Sequence, residues 1–271
     1  MMMASRWRYV TLDATGTLLR PREHIGRSYV AHWQRVAGVS LGSERLQAAQ
    51  RHVAARFLPV FRELARRSPN FGHATASDSA FAWWRTLILD VMPPTELAAH
   101  STAVQDRFAR ELYDYYATAD AWHVFEDVAP ALQTWRDAGV SLGVISNFDE
   151  RLPRVLDELG LLASFEVVST SWHHGALKPS TTIFEKTFVQ LARGRRVDRV
   201  LHVGDDITRD YEGARAAGAD ARWLWRPSVA DGKHEVTAES VNREQRVPAA
   251  HTVATLLEVA AETVSTDQEE Q

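Results

Sequence analysis

Val140-Ser141-Leu142-Gly143-Val144-Ile145-Ser146 is a nearly continuous apolar run. A strand covered by helices on both faces of a parallel sheet has this composition, because neither face meets water. The flanking segments agree. Ala129 to Ala138 reads as a helix ending at Gly139, and Leu152 to Leu159 as a helix ending at Gly160. Beyond them, Glu166–Ser169 reads as a strand, Thr181–Ala192 as a helix and Val200–Val203 as a strand. Asp210–Ala217 then reads as a helix before Gly218, and Ala221–Trp225 as a strand. Strands alternating with short helices predict βαβ units and a parallel sheet. A last helix over Val253–Glu262 is placed to pack on that sheet, and Thr266 to Gln271 reads as a solvated tail.

Toward the N-terminus, Arg8-Tyr9-Val10-Thr11-Leu12 is short, β-prone and runs straight into Asp13, as a first strand ending in a turn does. From about residue 24 to 117 the period changes. Ile25, Tyr29, Trp33 and Val36 recur at helical spacing before Gly38, and Leu46, Val53, Phe57, Phe61 and Leu64 continue after Ser43. Pro59 is expected to kink or divide that stretch. Ser77 suits the N-cap of a helix carrying Phe81, Trp84, Leu87 and Val91, and Pro94 to Tyr116 reads as one long helix. A loop from Ser68 to Thr75 interrupts the helices. A helical block, 21–119, is thus inserted after the first strand of an α/β domain made of 1–20 and 120–271.

Composition narrows the function classes. At about 100–200 residues per domain, 271 residues suggest one large domain or two modest ones. The absence of cysteine excludes disulfides, thiolate metal sites and a cysteine nucleophile. A net charge of −4 provides no basic field for nucleic acid. No stretch approaches the ~20 apolar residues of a membrane span, and the N-terminus, MMMASRWRYV, has no apolar signal-peptide core. The expectation is a soluble, cytoplasmic protein, monomeric or homodimeric, with no nucleic-acid or membrane partner.

Ligands of open parallel sheets sit beyond the carboxyl ends of the strands, and four strand ends here carry suggestive residues. They are Asp13-Ala14-Thr15-Gly16-Thr17, Ser146-Asn147, Lys178-Pro179 and Gly204-Asp205-Asp206-Ile207-Thr208-Arg209-Asp210. In this order, these segments resemble the four motifs of the haloacid dehalogenase superfamily: Asp-x-Asp-x-Thr, a strand-end Ser or Thr, a Lys often followed by Pro, and Gly-Asp-x(4)-Asp. Ile145-Ser-Asn-Phe-Asp149, Ser68-Pro-Asn-Phe-Gly72 and the Trp83-Trp84 pair are similar to the haloacid dehalogenase-like hydrolase domain-containing protein 3 group. The resemblance covers almost the whole chain. It implies a Rossmann-like parallel sheet with helices on both faces and an inserted α-helical cap.

It also implies a chemistry. Asp13 would be the nucleophile that attacks phosphorus, giving an aspartyl-phosphate. Mg²⁺ would be held by Asp13, the Thr15 carbonyl and Asp205. Lys178 would neutralise the Asp13–phosphate pair, Ser146 and Asn147 would hold phosphoryl oxygens, and Asp210 and Thr17 would support. The substrate would be a small phosphorylated metabolite. Asp210 could equally cap its helix, and Asp149 is expected to cap the helix after it. His173 and His174 read as exposed loop residues. Trp33, Phe81, Trp83 and Trp84 read as core of the helical block, and Asn70 and His73 stand on its loop as candidates to face a site.

One position departs from the pattern. Where the usual phosphatase has a second Asp that protonates the leaving group and activates water, this chain has Thr15. A hydroxyl of ordinary pKa is a poor acid or base at neutral pH, so hydrolysis is expected to be slower by about 10²–10⁴-fold. Three readings follow: a slow Mg²⁺-dependent phosphatase, a metal-independent hydrolytic dehalogenase, or a non-catalytic relative that binds phosphate and metal.

Overall fold

A computed structural model of the chain describes residues 5–75, 79–226 and 246–264. The Ser77 cap and the tail from Thr266 lie outside them. By internal contacts the chain forms two units, one of residues 1–20, 124–147 and 160–271, the other of 21–123 and 148–159.

The first unit is built on a parallel sheet of six strands: β1 (Tyr9–Leu12), β4 (Ser141–Ser146), β5 (Val167–Thr170), β6 (Val200–Gly204), β7 (Asp220–Leu224) and β8 (Thr252–Val253), in the order β5-β4-β1-β6-β7-β8. A second, two-stranded sheet pairs β2 (Leu19–Pro21) with β3 (Trp122–Val124). β1 is buried along its whole length between β4 and β6, with Thr11 opposite Gly143 on one side and His202 on the other. Helices surround the sheet, as its apolar strands require. Tyr9 and Ile145 pack with Ile183, Phe184, Phe188 and Leu191 of the helix Thr181–Ala192. Trp135, on the helix Val128–Asp137, is buried and donates to Thr263 Oγ1 at 3.1 Å on the helix Leu256–Val264.

The elements differ from expectation at several points. β8 and the two-stranded sheet are too short to show a period. The last helix starts at Leu256 rather than Val253, which belongs to β8. Pro94–Leu97 and Thr102–Tyr115 are separate helices rather than one. The helix expected from Asp210 is a wide i→i+5 turn over Ile207–Glu212 followed by Gly213–Ala216.

The second unit is helical: Ile25–Ala37, Ser43–Arg67, Phe81–Val91, Pro94–Leu97, Thr102–Tyr115 and, from the later segment, Leu152–Glu158. Ser43–Arg67 runs unbroken through Pro59, so the proline does not divide it. Trp33 is buried, edge-on to Phe108. Trp83 and Trp84 join Phe61 and Phe71 in an aromatic cluster. Asp149 is not the cap of the following helix, whose N-cap residue is Arg151. It accepts from the Arg151 N–H at 3.0 Å, pairs with the Arg151 guanidinium at 2.7 Å and takes the Trp84 indole N–H at 2.7 Å. Arg151 in turn donates to the Tyr113 carbonyl at 2.8 Å. The sequence reading grouped everything after 120 with the sheet, whereas these contacts tie 148–159 into the helical unit. No helix among the described residues is long and apolar enough to cross a membrane.

Candidate active site

All the strand-end residues singled out above lie in the first unit. β1 delivers Asp13 to the carboxyl end of the sheet, where its N–H donates to the Val203 carbonyl at 2.9 Å. The chain then turns tightly on itself. The Ala14 carbonyl accepts from the N–H groups of Thr17, Leu18 and Leu19. Gly16 sits at φ +89°, and a Cβ there would lie 2.3 Å from Asp205 Oδ2. Only glycine lets the loop backbone approach that carboxylate so closely.

Lys178 is buried and its ammonium is saturated. Nζ donates to Asp13 Oδ1 at 2.7 Å, to Asp210 Oδ1 at 2.5 Å and to the Ile145 carbonyl at 2.8 Å. Its backbone is held as firmly. Asn147 Oδ1 accepts from the Lys178 N–H at 2.7 Å and Asn147 Nδ2 donates to the Lys178 carbonyl at 3.0 Å. Both ends of the Asn147 carboxamide are therefore engaged on the lysine loop, leaving it poorly placed for the phosphate contact expected of it.

Asp210 is not the cap of its helix. Asp206 fills that role, accepting from the Arg209 N–H at 2.7 Å. Asp210 Oδ2 instead accepts the Asp206 N–H at 3.0 Å while Oδ1 faces Lys178. A Cβ on Gly204 would meet the Asp210 carboxyl carbon at 2.2 Å, so the bare backbone there makes room for the side chain.

Three carboxylates, Asp13, Asp205 and Asp210, have oxygens within 4.8 Å of one another, and one ammonium serves two of them. Burial works to raise the Asp210 pKa, but the Lys178 charge, together with the contacts that Lys178 and the neighbouring His202 ring make to the carboxylate, outweighs it and holds this carboxyl below its ordinary value. Asp205 lies on the accessible side of the cluster; its backbone carbonyl accepts from the Trp223 indole at 2.9 Å, but its carboxylate takes no hydrogen bond or ion pair from a described side chain. Desolvation among the surrounding protein groups, then the charges of Asp13 and Asp210, push its carboxyl up to about 7. Asp13 is raised too, by burial and by Asp210, against the pull of Lys178. Repulsion of this kind is relieved by a hard cation with oxygen ligands, and the donor set fits Mg²⁺. Thr17 Oγ1 in the same loop is buried without a hydrogen-bond partner among the described residues. Ser146 is buried at the end of β4, and its hydroxyl makes no hydrogen bond to the cluster. The Thr15 side chain is exposed.

His202 escaped the sequence reading. It is a buried imidazole in the apolar run Val200–Val203, with Nε2 3.3 Å from Asp210 Oδ1 and Nδ1 2.9 Å from Thr11 Oγ1. A histidine inside a strand covered on both faces was itself a signal. His173 and His174 lie instead on a short helix, bonded to Thr170 and Ser169.

The model of the haloacid dehalogenase-like hydrolase family matches residues 7–218. The haloacid dehalogenase-like hydrolase domain-containing protein 3 of Danio rerio is 31% identical over 211 residues, 78% of this chain and 82% of that protein. Among solved structures, a 2-haloacid dehalogenase from Pseudomonas syringae superposes with a TM-score of 0.61 at 19% identity, covering 94% of this chain and 97% of that one. A HAD phosphatase from Thermococcus onnurineus superposes with a TM-score of 0.55 at 22% identity, covering 93% and 95%. At such identities these two structures speak for the fold alone. The family match over most of the chain, together with the ordered strand ends, shows that this protein belongs to the haloacid dehalogenase-like hydrolases.

Proposed function

We propose that this hydrolase is a Mg²⁺-dependent phosphatase for a small phosphorylated metabolite, working through an aspartyl-phosphate on Asp13, with slow release of the phosphoryl group. The observation that carries the reading is Asp205. Its carboxylate stands beside two others with no cationic partner among the described side chains, an arrangement that a dehalogenase, needing no cation, gives no reason to keep. Asp13, the Thr15 carbonyl and Asp205 would hold Mg²⁺, which would supply the positive charge that an anionic nucleophile needs to approach an anionic phosphate.

An Asp13 carboxylate oxygen attacks phosphorus, the bond from phosphorus to the leaving oxygen breaks, and that oxygen takes a proton from solvent. The Lys178 ammonium, 2.7 Å from Asp13, neutralises the charge that gathers there. Ser146 and Thr17 offer hydroxyl donors to the phosphoryl oxygens. Asn147 is a positioning residue that fixes the Lys178 backbone. Water then attacks phosphorus, returning the Asp13 carboxylate and releasing inorganic phosphate. With Thr15 in place of an acid–base carboxylate, this second step lacks an activating base, so the covalent intermediate accumulates.

Acetyl phosphate with Mg²⁺ tests the scheme. The wild-type protein should be labelled on Asp13, and Asp13→Asn or chelation of Mg²⁺ should abolish the label without lowering thermal stability. Thr15→Asp should shorten the lifetime of the label, with a ceiling of about 10²–10⁴-fold. Metal-independent halide release from a 2-haloacid would replace this reading with the dehalogenase one. Mg²⁺ binding without labelling by any phosphodonor would leave a non-catalytic relative.

A further inference from the structure

Asp210 aims Lys178, and something must aim Asp210. The Asp210 carboxylate accepts from the Asp206 N–H on Oδ2 and from the Lys178 ammonium on Oδ1. The remaining neighbour of Oδ1 is His202 Nε2 at 3.3 Å. His202 and Thr11 are register partners on β6 and β1, so the strands hold the imidazole beside the Thr11 hydroxyl. Phe184 packs edge-on against the ring with centroids 5.1 Å apart, and His202 is buried on every side.

The hydrogen inventory selects one form of the ring. Thr11 Oγ1 has two possible acceptors, His202 Nδ1 at 2.9 Å and the Leu201 carbonyl at 3.3 Å, but a hydroxyl carries one hydrogen. If that hydrogen goes to Leu201, a neutral ring must donate from Nδ1 and turn the Nε2 lone pair toward the Asp210 carboxylate, which is repulsive. If it goes to Nδ1, the nearer acceptor, Nε2 carries the proton and donates to Asp210. An imidazolium would satisfy every contact too, but it would put a second buried cation beside Lys178. Burial and the Lys178 charge lower the His202 pKa against the pull of Asp210, which favours the neutral ring.

We propose that His202, as a neutral Nε2–H donor set in that tautomer by Thr11, is a positioning residue that fixes Asp210 and through it directs the Lys178 ammonium at Asp13. The inference rests on the phosphatase reading for its consequence, since an aimed Lys178 matters to phosphoryl transfer onto Asp13. A cationic ring would draw the Asp210 charge away from Lys178. A ring donating from Nδ1 would push Asp210 out of line.

The side chains that reach each nitrogen separate positioning from bulk packing. Gln places an amide N–H near Nε2, whereas Asn places one near Nδ1 and cannot reach Asp210. Imidazole ¹⁵N shifts of the full-length protein should report the Nε2–H tautomer of His202. The slowly exchanging ammonium signal of the buried Lys178 should survive in His202→Gln and broaden in His202→Asn and His202→Leu. The rate of Asp13 labelling by saturating acetyl phosphate should fall by about 10–100-fold in the Asn and Leu variants and stay within about threefold in Gln, the range usual for partners one bond removed from a site. An Nδ1–H tautomer, an imidazolium, or equal Lys178 spectra and labelling rates across the three variants would overturn the proposal. Wild-type protein that takes no label, with the Lys178 signal still dependent on His202, would overturn the phosphatase reading and leave the positioning of Lys178 supported.

Discussion

Lys178 carries more of the candidate chemistry than its place before a proline suggests. This chain has 28 Arg and 3 Lys, so arginine is its default cation. A compact ammonium can serve three acceptors arranged around one point, and Lys178 meets Asp13, Asp210 and the Ile145 carbonyl within 2.8 Å. A guanidinium is planar and wider, and cannot do this from the same backbone position. Lys178→Arg should therefore slow labelling of Asp13 by about 10²–10³-fold, the usual loss for a misplaced electrostatic donor. A labelling time course beside a thermal melt separates this from unfolding. An arginine variant within a few-fold of wild type would make Lys178 an ordinary charge partner.

At the scale of the element, the end of β6 matters most. Gly204 leaves room for Asp210, whose carboxyl carbon would lie 2.2 Å from a Cβ. Gly204→Ala must push Asp210 away, loosening Lys178 and His202 together. The expected result is a loss of labelling comparable to that of His202→Leu and a stability loss of about 1–3 kcal/mol from overpacking, measured by denaturant titration. Unchanged labelling would mean that Asp210 is not held by this turn. The sheet and the four strand ends were legible in the sequence because buried parallel strands write themselves as apolar runs and glycines punctuate the turns. The wide turn over Ile207–Glu212 was not, since its i→i+5 bond from the Tyr211 N–H to the Asp206 carbonyl has no residue-type signature. Asn147 stood out as a polar residue at a strand end, but only coordinates show its carboxamide turned to the Lys178 peptide. Pro59 does not divide its helix, because a helix can lose one hydrogen bond within a long packed stretch and continue.

For the whole molecule, the helical unit is not one contiguous stretch. Residues 148–159 return to it, and Asp149, Glu150 and Arg151 satisfy groups on its earlier helices. Trp84 donates to Asp149, the Ala80 N–H to Glu150 at 3.1 Å, and the Tyr113 hydroxyl to Glu150. A fragment of residues 21–123 should therefore melt without cooperativity by circular dichroism. The same fragment joined through a linker to 148–159 should show a sigmoidal transition. Equal melting of the two would make the returning segment dispensable. The chain passes between the units at 20/21, 123/124, 147/148 and 159/160. Recombination that traded the helical block as a cassette, cut only at its outer joints, would strand Trp84 against a foreign partner. A helical block that is to keep these contacts in another sheet therefore has to travel as two pieces, 21–123 and 148–159, inserted at separate joints.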